Sequence, residues 1–288
     1  MAKKKILAIL SILALVGALA GCGSSSGTTP KKDASSGKAQ TIVVATRGTS
    51  KPFSYADDSG KLTGYDVEVL REVEKRDPSL HFEFQSMPVD AGFIAMKNKK
   101  VDLIANQMSY RPSRAKNHLY THEAYGYTVR RLVVKKGRTD IRSLEDLKGK
   151  KLGTTSNSTL KILADKFNQT ADPKIELVFS EKGSAEILNL LATDRIDAAG
   201  DYEYNVKWAV KDRNLPIEAV GKPLEGFPTF YVLRKDSKLQ PVADKIDAQI
   251  KAMRADGTLK KLSEKFLLGD YTVKPDFPLS FLPPDWKD

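Results

Sequence analysis

From Thr41 to Ala105 the chain alternates short β-branched runs with longer amphipathic stretches, and few architectures accept that order. Thr41 to Thr46 (TIVVAT) is too short and too branched for a helix and reads as a buried strand. Leu62 to Tyr65 leads to Asp66, a natural N-cap for a helix carrying Val67, Leu70 and Val73, closed by Asp77-Pro78. Leu80 to Gln85 alternates as a strand does, Phe93 and Met96 sit on a second amphipathic helix, and Val101 to Ala105 is a third strand. Strand, helix, strand, helix, strand predicts an α/β fold with a mostly parallel sheet flanked by helices.

A second series follows the long extended stretch Tyr127 to Lys135 (YTVRRLVVK). It reads as a short helix at 143–148, a strand at 151–154 and a helix opening at Thr155 to Thr159 (TSNST) and running to Phe167. Then come a strand at 176–179, a helix at 184–192, a strand at 196–199 and a helix opened by Asp201 and running to about Lys211. Phe230 to Arg234 is another strand, Pro241 to Met253 and Thr258 to Phe266 are amphipathic helices, and the tail from Tyr271 is proline-rich and extended. No repeat of 20 to 50 residues occurs, which argues against a solenoid.

In parallel α/β sheets ligands sit beyond the carboxyl ends of strands. Two loops occupy such ends, 47–55 (RGTSKPFSY) and 106–114. The second holds Gln107, Ser109 and then Arg111-Pro112-Ser113-Arg114, where the first turn of a short helix leaves free backbone N–H groups beside a guanidinium. Arginine matches a carboxylate with two parallel donors, and hydroxyls and amides complete the set. A surface arginine after a strand explains the same residues. The helix start at Asn157, Ser158 and Thr159 favours an anion, although plain N-capping is the commoner role there, as it is for Asp201.

The formal charge of +11 overstates the folded part, because Lys3 to Lys5 open a segment with the pattern of a secretory signal. Its apolar run, Ile6 to Ala20, falls short of the ~20 residues that span a bilayer. It ends Leu19-Ala20-Gly21-Cys22, similar to the bacterial lipoprotein box, so residues 1–21 are expected to be removed and Cys22 to carry lipid. Cys22 is the single cysteine, so no disulfide forms within the chain. Residues 22–40, rich in Ser, Gly, Thr and Lys, read as a flexible tether. No zinc-finger spacing, aromatic RNA-binding signature or basic helix is present, and no nucleic-acid partner is expected.

The segments KPFSYADDSGKLTGYDVEVL, DAGFIAMKNKKVDLIANQMSYRPSRAKNHLYTHEAY, SLEDLKGKKLGTTSNST, ATDRIDAAGDYEY and IKAMRADGTLKKLSEKFL cover essentially all of residues 41–268. Their order and spacing resemble the extracellular solute-binding proteins of amino-acid ABC importers, the polar amino-acid family. The resemblance implies a two-lobe, periplasmic-binding-protein-like fold of type II. One lobe would be 41–128 plus 227–288 and the other 129–226, joined by two crossing strands near Thr128 to Arg130 and Phe227 to Thr229. It implies that Arg114 and Ser109, with Ser158 and Thr159, hold the α-carboxylate of an amino acid, and that Asp201 holds its ammonium.

The chain departs from the family pattern at Asn157, which replaces a glycine, at Ser50, where many relatives place an aromatic ring, and at Arg111, where threonine is common. Asn106-Gln107 looks like the cystine-binding branch, and the basic composition looks like the basic surface proteins of lactobacilli. Cystine or a related sulfur amino acid is the expected ligand, with Gln107, Arg47, Phe53, Tyr55, Val89 and Tyr110 as side-chain pocket candidates. For Val89 and Phe53 a core position is the plainer expectation. The resemblance further implies a lipid-anchored monomer on the extracellular face of the cell membrane, working with an ABC permease and no cofactor.

An enzyme is not expected, because the chain lacks a G-x-S-x-G elbow, a P-loop and a dinucleotide glycine motif. His118 and His122 have a metal-pair spacing, yet HLYTH reads as a loop entering a strand, and no metal is expected. The alternative is a basic surface adhesin binding host matrix or anionic wall polymers, which salt would weaken.

Overall fold

The computed structural model describes residues 39–286 apart from Asn157 and Lys182. The signal segment, Cys22, nearly all of the tether and Asn157 therefore lie outside the described residues. Lys38–Asp288 form one compact unit.

The first series builds β1 (Gln40–Thr46), a three-stranded antiparallel flap of β2 (Thr49–Ser50), β3 (Ser54–Ala56) and β4 (Leu62–Thr63), then α1 (Tyr65–Arg76) and β5 (Leu80–Ser86). It continues with α2 (Val89–Lys97), β6 (Leu103–Met108), α3 (Pro112–Ala115) and β7 (His118–Tyr120). The chain then leaves along β8 (Gly126–Lys135). The second series is β9 (Lys151–Thr154), α4 (Thr159–Phe167), β10 (Glu176–Phe179), α5 (Ser184–Ala192), β11 (Ala198–Tyr202) and α6 (Glu203–Arg213). It returns along the 18-residue β12 (Ile217–Arg234) and ends with α7 (Gln240–Ala255) and α8 (Thr258–Leu267).

The strand order is β10-β9-β11-β8-β12-β6-β1-β5, with β7 also on β12. At one end β5, β1 and β6 are mutually parallel, and at the other so are β10, β9 and β11. The two sets meet through the antiparallel pair β8 and β12, where Thr128 lies opposite Phe227 and Gly126 opposite Thr229. Both of these threonine hydroxyls also bond across the pair, Thr128 to the Phe227 carbonyl at 3.2 Å and Thr229 to the Gly126 carbonyl at 3.0 Å. This is the mixed α/β, two-lobe arrangement with crossing strands.

Each parallel set has its own core. Ile42, Val44, Leu70, Leu103, Ile246 and Leu259 pack in one, and Leu132, Leu152, Leu160, Ile175 and Ala198 in another, all essentially buried. Two residues of α6 cross this division. Tyr204 at the start of α6 joins the first core and meets Phe53 edge-on at 4.8 Å, while Trp208 Nε1 donates to the Phe266 carbonyl at 2.7 Å.

Several boundaries differ from the sequence reading. Helix α1 begins at Tyr65, with Gly64 at the cap and φ 121°, where any Cβ would lie 2.3 Å from the Phe53 carbonyl oxygen. Asp66 is therefore one step inside the helix and fully buried, not an N-cap. Strand β6 runs on to Met108, so Asn106 and Gln107 are strand residues, not loop. Asp201 lies in β11 opposite Arg131, and α6 starts two residues later. The segment at 143–148 makes only a single 3-10 turn, Glu145–Leu147, and the strand at 230–234 is the end of a much longer one.

Candidate functional site

A cavity of about 810 Å³ opens at the carboxyl ends of β1, β5 and β6. Arg47 follows β1, Ser86 to Asp90 bridge β5 and α2, Asn106 to Ser109 close β6, and Arg111 and Arg114 flank α3. Ion pairs among the described residues engage Arg71, Arg76, Arg130, Arg131, Arg138, Arg234 and Arg254 and leave Arg47, Arg111 and Arg114 without a carboxylate. Arg114 Nη1 instead donates to the Ser109 carbonyl and to Tyr120 Oη, both at 3.2 Å, with its guanidinium 5.1 Å from the Phe93 ring. Three guanidinium groups with only neutral partners make the wall a receptor for anionic oxygen.

Beneath the cavity lies a carboxylate. Gln107 holds a left-handed φ of 42°, a conformation that non-glycine residues reach only when the surroundings hold them there. What holds it is Asp66, which accepts from Gln107 Nε2 at 2.6 Å and from the Gln107 backbone N–H at 3.3 Å, while Tyr125 Oη donates to its other oxygen at 2.9 Å. Tyr125 stacks on Tyr231 at 4.3 Å, and Tyr231 Oη donates to the Asp66 carbonyl at 3.0 Å. Burial raises the Asp66 carboxyl to about 7, with the Gln107 and Tyr125 hydrogen bonds pulling partly against it. Burial also lifts the surrounding hydroxyls of Tyr65, Tyr125 and Tyr231 well above their usual range.

A smaller cavity of about 200 Å³ opens at the carboxyl ends of β9 and β11. Asp201 lies in its wall, 5% exposed, and accepts from Ser184 Oγ, from Asn205 Nδ2 at 2.8 Å and from the Tyr202 N–H at 2.7 Å. Ser158 caps α4, its hydroxyl accepting from the Lys161 N–H at 3.1 Å and sharing a hydrogen with Thr154 at 2.6 Å. Thr159 gives its hydroxyl to Glu225 at 2.6 Å, and Glu225 also takes Arg130 Nε at 3.2 Å. Burial works to lower the Arg130 pKa, but Tyr202, Glu225 and Asp201 turn it upward, so this guanidinium is fully charged. The cavity thus offers one buried carboxylate and several hydroxyls, a setting that suits an ammonium group beside a carboxylate.

The structure brings Arg47, Val89, Gln107, Ser109 and Arg114 onto the first cavity and Ser158 and Asp201 onto the second. Thr159 stands beside the second, committed to Glu225. Phe53 is elsewhere: it is 5% exposed in the core against Tyr204. Tyr55 is a flap residue on β3, and Tyr110 turns toward Tyr120, ring centroids 5.2 Å apart, so neither reaches the wall. Sequence reasoning passed over Arg130, Thr155, Ser184 and Asn205 in the second cavity. Arg130 was hidden in the alternation of β8, and Ser184 among ordinary helix openers.

His118 and His122 do not form a pair. His118 Nδ1 lies 3.0 Å from the Arg114 carbonyl, whereas His122, Asp244 and Asp247 bring donor atoms within 4.8 Å of one another away from both cavities. Both Asp247 oxygens there already accept backbone N–H groups, from His122 at 2.9 Å and Glu123 at 2.8 Å. No helix among the described residues is long and apolar enough to cross a membrane.

Two strand-end cavities on either side of a crossing strand pair, one cationic and one carboxylate-bearing, define a solute receptor. The model of the bacterial extracellular solute-binding proteins, family 3, matches residues 42–269, and the chain belongs to that family. It is 32% identical over 271 residues to the L-cystine-binding protein TcyK of Bacillus subtilis, covering 94% of this chain and 98% of that one. Among solved structures it resembles the L-cystine solute receptor of Neisseria gonorrhoeae in its unliganded open conformation, with TM-score 0.70, 30% identity and coverage of 83% and 96%. It also resembles a Streptococcus mutans protein from a study of glutathione import via GshT and the cystine ABC importer TcyBC, with TM-score 0.66, 28% identity and coverage of 82% and 98%.

Proposed function

We propose that this chain is the receptor of an amino-acid ABC importer and that its ligand is L-cystine or a related sulfur amino acid. The observation that carries the reading is the division of charge. Arg114, with Arg47 and Arg111, awaits a carboxylate on one cavity, and Asp201 awaits an ammonium on the other. A zwitterion touching both stabilises the state in which the cavities meet, so it draws the lobes together by contacts that the open state lacks. The lobes in this reading are 41–128 with 227–288, and 129–226. The cystine-binding relatives support the ligand class, and the adhesin alternative draws no support from them. A lipid on Cys22 would hold the receptor, as a monomer, at the outer face of the membrane beside its permease.

The test is calorimetric titration of the protein with the twenty amino acids, L-cystine and glutathione, repeated with Arg114→Ala. Micromolar or tighter binding of one or a few of them is expected. A hydrogen bond to a charged group is worth about 1.5–3 kcal/mol, so the variant should lose about tenfold to a hundredfold. Folded protein that binds none of these compounds would overturn the reading.

A further inference from the structure

The family match ends at residue 269, and the tail beyond it packs along the crossing strands. The Tyr127 N–H donates to the Tyr271 carbonyl at 2.7 Å, and the Ser280 N–H to the Gly226 carbonyl at 2.8 Å, so the tail bonds to both strands. Gly226 leaves room for it, since a Cβ there would lie 2.3 Å from the Phe277 ring. Trp286 meets Phe230 edge-on at 5.4 Å, and Phe281 meets Phe227 at 5.7 Å. Phe281 also touches a residue that lines the first cavity. Its ring centroid lies 4.1 Å from the guanidinium of Arg111.

Arg111 has no acidic partner among the described residues, so an aromatic face is what fixes a long, otherwise free side chain at the cavity rim. Arg114 is the guanidinium placed for an α-carboxylate, three residues further on, and one carboxylate needs only one such fork. A second fork beside it suits a second carboxylate on the same ligand. Resting on the amino-acid reading above, we infer that Phe281 is a positioning residue for Arg111 and that the pair selects ligands with two carboxylates.

L-cystine carries two carboxylates and S-methyl-L-cysteine one, so the two serve as probes. Calorimetry with Phe281→Leu, which keeps an apolar side chain but no ring face, should show cystine affinity falling about fivefold or more while S-methyl-L-cysteine changes little. Phe281→Trp should keep wild-type affinity for both. Arg111→Ala should reproduce the Phe281→Leu loss, and the double variant should be no weaker than Arg111→Ala alone. A loss that is equal for both probes, or that persists in full in the Arg111→Ala background, would overturn the inference. A second readout needs no ligand: phenylglyoxal labelling of the unliganded protein, followed by peptide mass spectrometry, should modify Arg111 faster in Phe281→Leu than in wild type or Phe281→Trp. Equal labelling overturns the positioning role. Wild-type protein that binds neither probe overturns the sulfur amino-acid ligand and the selection with it, while labelling still decides the placement of Arg111.

Discussion

Asp66→Asn should flatten the dependence of stability on pH. In the fold the carboxyl titrates near 7, because burial disfavours its charge more than the Gln107 and Tyr125 hydrogen bonds favour it, and in the unfolded chain it returns to 3.8. Between those values the native protein holds a proton that the unfolded chain has released. The stabilisation is therefore fully present below about pH 4 and is lost as pH rises through about 7. At 1.36 kcal/mol per pH unit the whole effect is about 4 kcal/mol, and about 3 kcal/mol of it falls between pH 4.5 and pH 8. The neighbouring hydroxyls of Tyr65, Tyr125, Tyr204 and Tyr231 are lifted far above that window and do not titrate in it. Glu74, Asp77 and Asp236 have lowered carboxyl pKa values, so their contributions are lost as pH falls and lie below the window. Burial raises Asp247 in the same sense as Asp66, which is why the comparison must be between wild type and variant. Urea denaturation at pH 4.5, 6 and 8, followed by circular dichroism, gives the two slopes. Asparagine presents a donor to Gln107, which lowers its curve as a whole, but that curve should be flatter by about 3 kcal/mol over the range. Parallel curves would refute the argument that Asp66 titrates near neutrality.

Three further outcomes follow from packing and charge. Asp201→Asn keeps an acceptor for Asn205 and the Tyr202 N–H and turns its amide N–H toward Ser184, whose hydroxyl can accept, but it removes the charge opposite an ammonium, so amino-acid affinity should fall about tenfold or more by calorimetry while the circular dichroism spectrum is unchanged. Asp247→Ala strands the N–H groups of His122 and Glu123 and should cost about 1–3 kcal/mol in urea denaturation. At Gly221, with φ 72° and the Arg142 carbonyl oxygen 1.9 Å from any Cβ, alanine adds a clash to a backbone penalty of about 1–3 kcal/mol. Scanning calorimetry should place that variant several degrees below wild type, at roughly 2–4 °C per kcal/mol for a domain of this size.

The order of strands and helices was legible because each apolar run had one dominant period, and β1, β9 and β10 fell where their β-branched or short apolar runs placed them. What the sequence hid was set by contacts at a distance. Asp66 looked like a cap, since Asp before an apolar period usually is one. It is buried because Gly64 accepts φ 121° and starts the helix two residues early. The strand β12 looked short because Gly221, Pro223 and Pro228 interrupt its pattern, and a register shift between Val220 and Glu225 absorbs part of that interruption. Among the candidate site residues, Arg114, Ser109 and Asp201 were picked out by matching their order to a family, and the structure sets the first two on one cavity and Asp201 on the other. Phe53 is in the core, the plainer of its two expected places, but a loop aromatic beside a strand end gave no local sign that Tyr204, from the other series, packs against it.

The two crossing strands also set an order in which the molecule can be completed. Everything that β9, β10 and β11 pair with lies between Gly126 and Arg234, so that half of the sheet closes within one continuous stretch of chain. The half bearing Arg114 is split by the same stretch: β6 must wait for Phe230 to Leu233 before its second edge is covered. A chain that emerges amino end first therefore holds β6 open until the last quarter has arrived, an unpaired edge prone to mispairing. The cationic cavity, whose Arg111 packs on Phe281 from the tail, is then completed only when the end of the chain has arrived.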